Sequence, residues 1–146
     1  MRISHGALVL VADGRKSLFL RNEGDADYLN LVVEDQHAHS DLKDSDWKSD
    51  AAGQRPSNGT YGQDSAQETN FHQLEEDRFA AETAALLARR ARADNFSELF
   101  VVAPPRTLGE LRQHYDKAVE AKITAEVDKD LVNHPIDKLE EALKSL

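Results

Sequence analysis

"SELFVVAPP", Ser97–Pro105, is the stretch on which the reading of this chain turns. Leu99 to Val102 is a short, unbroken apolar run. Such a run is the mark of a strand buried on both faces of a sheet, and Pro104-Pro105 stops it. The segments on either side read as helices that would cover such a strand. Upstream, "NFHQLEEDRFAAETAALLARRARADNF" predicts a helix over about Asn70–Ala93. Phe79, Ala80, Thr83, Ala84, Leu87 and Ala91 fall on one stripe at helical spacing, with Leu86 at its edge. The alanines point to close packing on a sheet. Glu75, Glu76 and Asp77 come early and Arg89, Arg90 and Arg92 late, which suits the helix dipole.

Downstream, "RTLGELRQHYDKA" predicts a short helix with Leu108, Leu111 and Tyr115 on one face. "AKITAEVDKDL" alternates Ile123, Ala125 and Val127 and reads as a strand. "HPIDKLEEALKSL" reads as a last helix, with Pro135 in its first turn. Its apolar face is Ile136, Leu139, Leu143 and Leu146. At the other end, "ALVLVADGRKSLFLRNEG" has two apolar runs flanking Asp13-Gly14. That dipeptide predicts a hairpin closed by a type I′ turn, in which both central residues take positive φ. "YLNLVVED", Tyr28–Asp35, adds a third strand. The order is β-β-β-α-β-α-β-α: an antiparallel meander, then two strands that join in parallel through right-handed crossovers. This is an α/β fold, the ribonuclease-H-like mixed five-stranded sheet with helices on its faces.

The 146 residues fit one domain, 1–146, able to bury roughly 70% of its unfolded surface. Residues 37–69 are rich in Gly, Ser, Asn, Asp and Gln and are expected to form a flexible polar loop of about 30 residues. Closing it costs only about 3 kcal/mol. With no cysteine, disulfides, thiolate metal sites and cysteine nucleophiles are excluded. The N-terminus reads as a strand rather than a signal peptide, and no apolar stretch is long enough to span a membrane. A soluble, cytoplasmic protein is expected. The net charge is −9, with acids crowded between Glu34 and Asp50. That field disfavours non-specific nucleic-acid binding. A local basic surface is available from Arg89, Arg90, Arg106 and Arg112. These arginines are either binding residues or a solvated helix face.

Chemical motifs are sparse. A two-metal nuclease needs three or four converging carboxylates. Asp13 ends the first strand, but the fourth strand ends in Val102-Ala103-Pro104. His37-x-His39-x-Asp41 has the spacing of a zinc-binding triplet, yet Leu42 stands where a further histidine would be needed. Asn58-Gly59-Thr60 matches a glycosylation sequon that a chain without an export signal would not use. There is no phosphate-binding P-loop, dinucleotide fingerprint or nucleophile elbow. No cofactor and no metal are expected.

Three stretches together resemble the host attachment protein family: "LVLVADGRKSLFLRN", "HQLEEDRFAAETAALLARRARADNFSELFVVAPPRTLGELR" and "ITAEVDKDLVNHPIDKLEEALKSL". That bacterial family is named for attachment to host cells and is grouped with proteins similar to archaeal and eukaryotic peptide-chain release factor domains. In release factors the loop between the third strand and the long helix carries Gly-Gly-Gln, whose glutamine helps water attack the peptidyl-tRNA ester. Here the corresponding loop contains Ala52-Gly53-Gln54, with alanine in place of the first glycine. The resemblance implies a release-factor-like scaffold acting through binding to ribosomes, RNA or a protein partner. Gln54 with Gly53 is the catalytic candidate of an esterase reading. Arg106, Arg112, Arg89 and Arg90 are the binding candidates. A third reading is homo-oligomerisation through a sheet edge.

Overall fold

A computed structural model describes residues 1–39 and 61–146, with side chains from Asn70 onward in the second part. Five strands form one mixed sheet: β1 (Leu8–Ala12), β2 (Lys16–Asn22), β3 (Leu31–Ala38), β4 (Leu99–Ala103) and β5 (Ile123–Asp128). They lie side by side in the order β3-β2-β1-β4-β5. β1 pairs antiparallel with β2 and parallel with β4, and β4 pairs parallel with β5. The helices are α1 (Tyr61–Arg92), α2 (Pro105–His114), α3 (Lys117–Glu120) and α4 (Ile136–Lys144). The mixed five-stranded sheet expected from the sequence is present, and every residue of β1 and β4 is buried.

That burial has two sides because successive side chains of a strand point to opposite faces. Leu8, Leu10, Ala12, Leu99, Val101 and Ala103 face α1, α2 and α3, where Ala80, Ala84, Leu87, Leu108, Leu111 and Val119 meet them. Val9, Val11, Phe100 and Val102 face the other way and pack with Leu139 and Leu143 of α4. The α1 stripe read from the sequence is the buried one. On α4 the stripe ends sooner than expected, since Leu146 is exposed.

Four local details differ from the sequence reading. The β1–β2 hairpin exists, but Gly14 does not take positive φ; among the described residues only Gly6 and Asp94 do. The Asp13 N–H donates to Lys16 O at 2.9 Å. In return Asp13 Oδ1 accepts from the N–H groups of Arg15 and Lys16, both at 2.8 Å. A side-chain acceptor thus closes the turn that a type I′ backbone would otherwise close. Gly14 is required by proximity instead: a Cβ there would lie 2.9 Å from Glu76 Cβ.

β3 begins at Leu31, not Tyr28. Asp25 Oδ1 accepts from the N–H groups of Asp27 and Tyr28, which holds Tyr28 in a turn, 77% exposed. β3 is an edge strand, and a register shift between Phe19 and Leu20 leaves Glu34 as the extra, bulged residue.

α1 begins at Tyr61 rather than Asn70, so the last part of the polar stretch is helical. Residues 70–74 are not buried, and Glu75 is the first buried one among those described. An apolar-stripe criterion stops where the helix leaves the sheet, whereas the backbone carries on. Finally, the expected single helix after Pro104 is two. Tyr115 and Asp116 are extended, and Asp116 caps α3 by accepting from the Ala118 N–H.

Candidate functional site

Strand direction defines one edge of the sheet as the place where several ends meet. β1, β4 and β5 run parallel, and β3, antiparallel to β2, points the same way. Ala12, Ala38, Ala103 and Asp128 therefore all lie at the carboxyl edge, the side where open α/β sheets place ligands. α2 starts there, immediately after β4. The amino half of α1 crosses there, with Glu76 against Gly14.

Several side chains are fixed at this edge. The His39 N–H donates to Arg15 O at 2.8 Å, extending the β3 pairing past Ala38. The His39 ring Nε2 lies 3.2 Å from Glu75 Oε2, and its ring stands 6.4 Å from that of Phe79. Glu75 is 5% exposed and also takes Arg78 Nη1 on Oε1 at 3.0 Å. Arg15 Nε lies 3.6 Å from Glu76 Oε2. Arg106, in the first turn of α2, is exposed and has no ion pair among the described residues.

The segment carrying Gly53 and Gln54 lies outside the described residues, as do Trp47 and Asp41. What the structure does place are its two ends, His39 and Tyr61, with His39 held at the carboxyl edge. His37 and His39 do not converge: His37 Nε2 is 2.9 Å from Asp35 Oδ2, while His39 turns to Glu75. Among the described residues no three His, Asp or Glu side chains are grouped as metal ligands.

The four arginines singled out from the sequence have four different surroundings. Arg106 stands at the carboxyl edge. Arg112 Nε and Nη2 donate to Glu126 Oε1 at 3.0 and 2.8 Å, tying α2 to β5. Tyr115 OH joins the same carboxylate at 3.3 Å, and burial pushes its phenol far above its usual range. Arg90 Nη1 donates to Glu34 Oε1 at 2.8 Å and lies over the Phe19 ring, 5.1 Å from its centroid. Arg21 clamps the same Glu34 through Nε and Nη2 at 3.0 and 3.1 Å. The Arg21 hydrogen bond, more than that of Arg90, holds the Glu34 carboxyl below its usual value. Arg89, near the far end of α1, is exposed and unpaired among the described residues.

The His39–Glu75 pair escaped the sequence reading. A signal for it existed: Glu75 stands four residues before Phe79, in line with Thr83 and Leu87, on the stripe that becomes buried. A carboxylate there needs a partner. That the partner is His39, 36 positions away, is a tertiary fact. At the opposite edge of the sheet, Ser4–Ala7 and Asp94–Glu98 line a half-open cleft of about 320 Å³. The Asp94 carboxylate beside it is held by Lys122 Nζ at 2.8 Å.

Taken together, the molecule is an α/β protein whose mixed sheet has, at its carboxyl edge, the exposed Arg106 and the point where the chain leaves β3 after His39. It belongs to the family described as Bacterial archaeo-eukaryotic release factor family 12, which its sequence matches over residues 6–143. An uncharacterized protein of Rickettsia prowazekii (strain Madrid E) is 38% identical over 48 residues, which is 33% of this chain and 32% of that relative. The aligned stretch thus spans about a third of the relative's length. Among the described residues, no helix is long and apolar enough to cross a membrane.

Proposed function

We propose that this protein is a non-catalytic, release-factor-like binding domain that associates with the ribosome or its RNA in the cytoplasm. The family match over residues 6–143 carries this reading. The geometry supports it: the polar segment between β3 and α1 departs from the edge where Arg106 stands open. The net charge of −9 opposes indiscriminate RNA binding. A contact through a single exposed cation such as Arg106, reached by a specific fit, is compatible with that charge. An effect on attachment to host cells would then be indirect, through protein synthesis.

Co-sedimentation with ribosomes tests this. The full chain should travel with ribosomes at low salt and leave them at high salt. A variant with residues 46–60 replaced by a glycine-serine linker should bind more weakly while remaining folded. A chain that ignores ribosomes at every salt concentration and captures one defined protein would replace this reading with a protein-interaction module. Peptide release from peptidyl-tRNA that is lost in Gln54→Ala would convert it into an esterase. A mass above the monomer's in light scattering would bring in oligomerisation.

A further inference from the structure

The geometry points to Asp35 and Glu140 as guards that close the outer edge of β3 against a strand from a second copy of this chain. β3 is eight residues long and ends the sheet, with β2 beside it on one side only among the described residues. Such an edge presents a row of open N–H and C=O groups to any extended segment. Residues 32–36 are all exposed, Val32 by 43% and Val33 by 41%. Two adjacent β-branched residues on an exposed edge suit strand pairing.

The hydrogen bonds show which amides face outward. Along an antiparallel pair, residues that bond to the neighbouring strand alternate with residues that point away from it. The His39 N–H donates to Arg15 O, so His37 and Asp35 bond toward β2 while Ala38 and Gln36 point out. On the far side of the bulge the Glu23 N–H donates to Asn30 O, so Val32 bonds toward β2 while Leu31 and Val33 point out.

Two of these outward amides already have carboxylate acceptors. The Leu31 N–H donates to Glu140 Oε2 at 2.7 Å, a bond that reaches across from α4. The Gln36 N–H donates to Asp35 Oδ1 at 3.0 Å. Asp35 is itself held, because its Oδ2 lies 2.9 Å from His37 Nε2. Bonds from an amide to a carboxylate are charge-assisted and stronger than those to a neutral carbonyl. A second strand therefore has to exchange two strong bonds for ordinary ones, and it brings its own carbonyls against two acids. The bulge at Glu34 adds a local twist to the same edge.

The strand held off is a second copy of β3. A pairing about a two-fold axis uses the same surface twice. Centred on Gln36, it would let the outward N–H and C=O of that residue meet those of its own copy. The Asp35 side chain stands on that N–H. This inference is separate from the ribosomal reading and does not rest on it.

Sedimentation velocity over a concentration series, combined with amide hydrogen exchange, tests it on the full chain. The parent should stay monomeric. Asp35→Ala combined with Glu140→Ala should self-associate at least about tenfold more tightly, the scale of one amide hydrogen bond set free. Exchange at Val33, Gln36 and Ala38 should slow as the concentration of that variant rises. Glu140→Gln keeps an acceptor oxygen and should behave as the parent does. Val33→Lys added to the double variant should restore the monomer, because a lysine on an edge repels a second strand.

A folded double variant that stays monomeric overturns the inference. So does a parent whose edge amides slow with concentration, and so does association that protects other strands instead. If the double variant does not fold, Asp35→Ala and Glu140→Ala taken singly decide by the same two readings.

Discussion

At the scale of single residues, polar atoms sealed from water have the largest expected effects. Asn22 is fully buried and is used completely. Its Nδ2 donates to Ile3 O at 2.8 Å and to Ser4 O at 3.2 Å, and its Oδ1 accepts from Gly24 and Asn30 N–H at 3.0 and 3.1 Å. Ser17 is its opposite: fully buried, with Oγ unpaired. An unmet hydroxyl carries a desolvation cost of about 1–3 kcal/mol. Ser17→Ala is therefore expected to leave stability unchanged or to raise it by about 1 kcal/mol, measured by urea denaturation. A loss of stability would mean that the hydroxyl has a partner.

Glu34 gives a pH dependence whose sign follows from its partners. Arg21 and Arg90 hold its folded value below the ordinary 4.5. The stability this adds is complete above the ordinary value and is lost as the pH falls through the lowered folded one. With the side chain 33% exposed, solvent screening limits it to about 1 kcal/mol. Glu34→Gln should be less stable than the parent at neutral pH, and the gap should close in acid. Melting curves of both proteins across that range measure it.

Between elements, close approach replaces backbone conformation as the reason for a glycine. Gly14 sits where the β1–β2 turn meets α1, and a methyl group there would fall within 3 Å of three Glu76 atoms, Cβ among them. Gly14→Ala is expected to cost about 1–3 kcal/mol through displacement of the turn from the helix. The shifts should concentrate in the amide spectrum at residues 13–16 and 75–79. The α1 C-terminus shows a related substitution of roles. Asp94 takes φ 55°, where glycine is usual, and Asn95 N–H closes the helix on Arg90 O at 2.9 Å.

For the whole molecule, β1 and β4 belong to both cores at once. Leu87 and Leu139 lie on opposite faces of the sheet and are both fully buried. Each truncation to alanine should cost about 2–5 kcal/mol. Both should lower one shared transition, seen together by circular dichroism and by amide resonances on either face. Two separate transitions would show that the faces fold independently.

The elements and their order were legible in the residues. The run Leu99–Val102 and the stripe from Phe79 to Ala91 follow from burial, and burial follows from composition and period alone. Boundaries set by polar atoms were not legible in the same way. Asp13, Asp25 and Asp116 each redirect the backbone through a side-chain oxygen, and an apolar period cannot register that. The candidate site divides along the same line. Arg106 was readable as a cation beyond a strand end, because the strand and the proline stop are local. That Arg90 and Arg112 are held by Glu34 and Glu126, whereas Arg106 is exposed with no ion pair among the described residues, was decided by tertiary structure. Ion pairs join residues distant along the chain, so no local pattern records which charges the fold neutralises and which it leaves exposed.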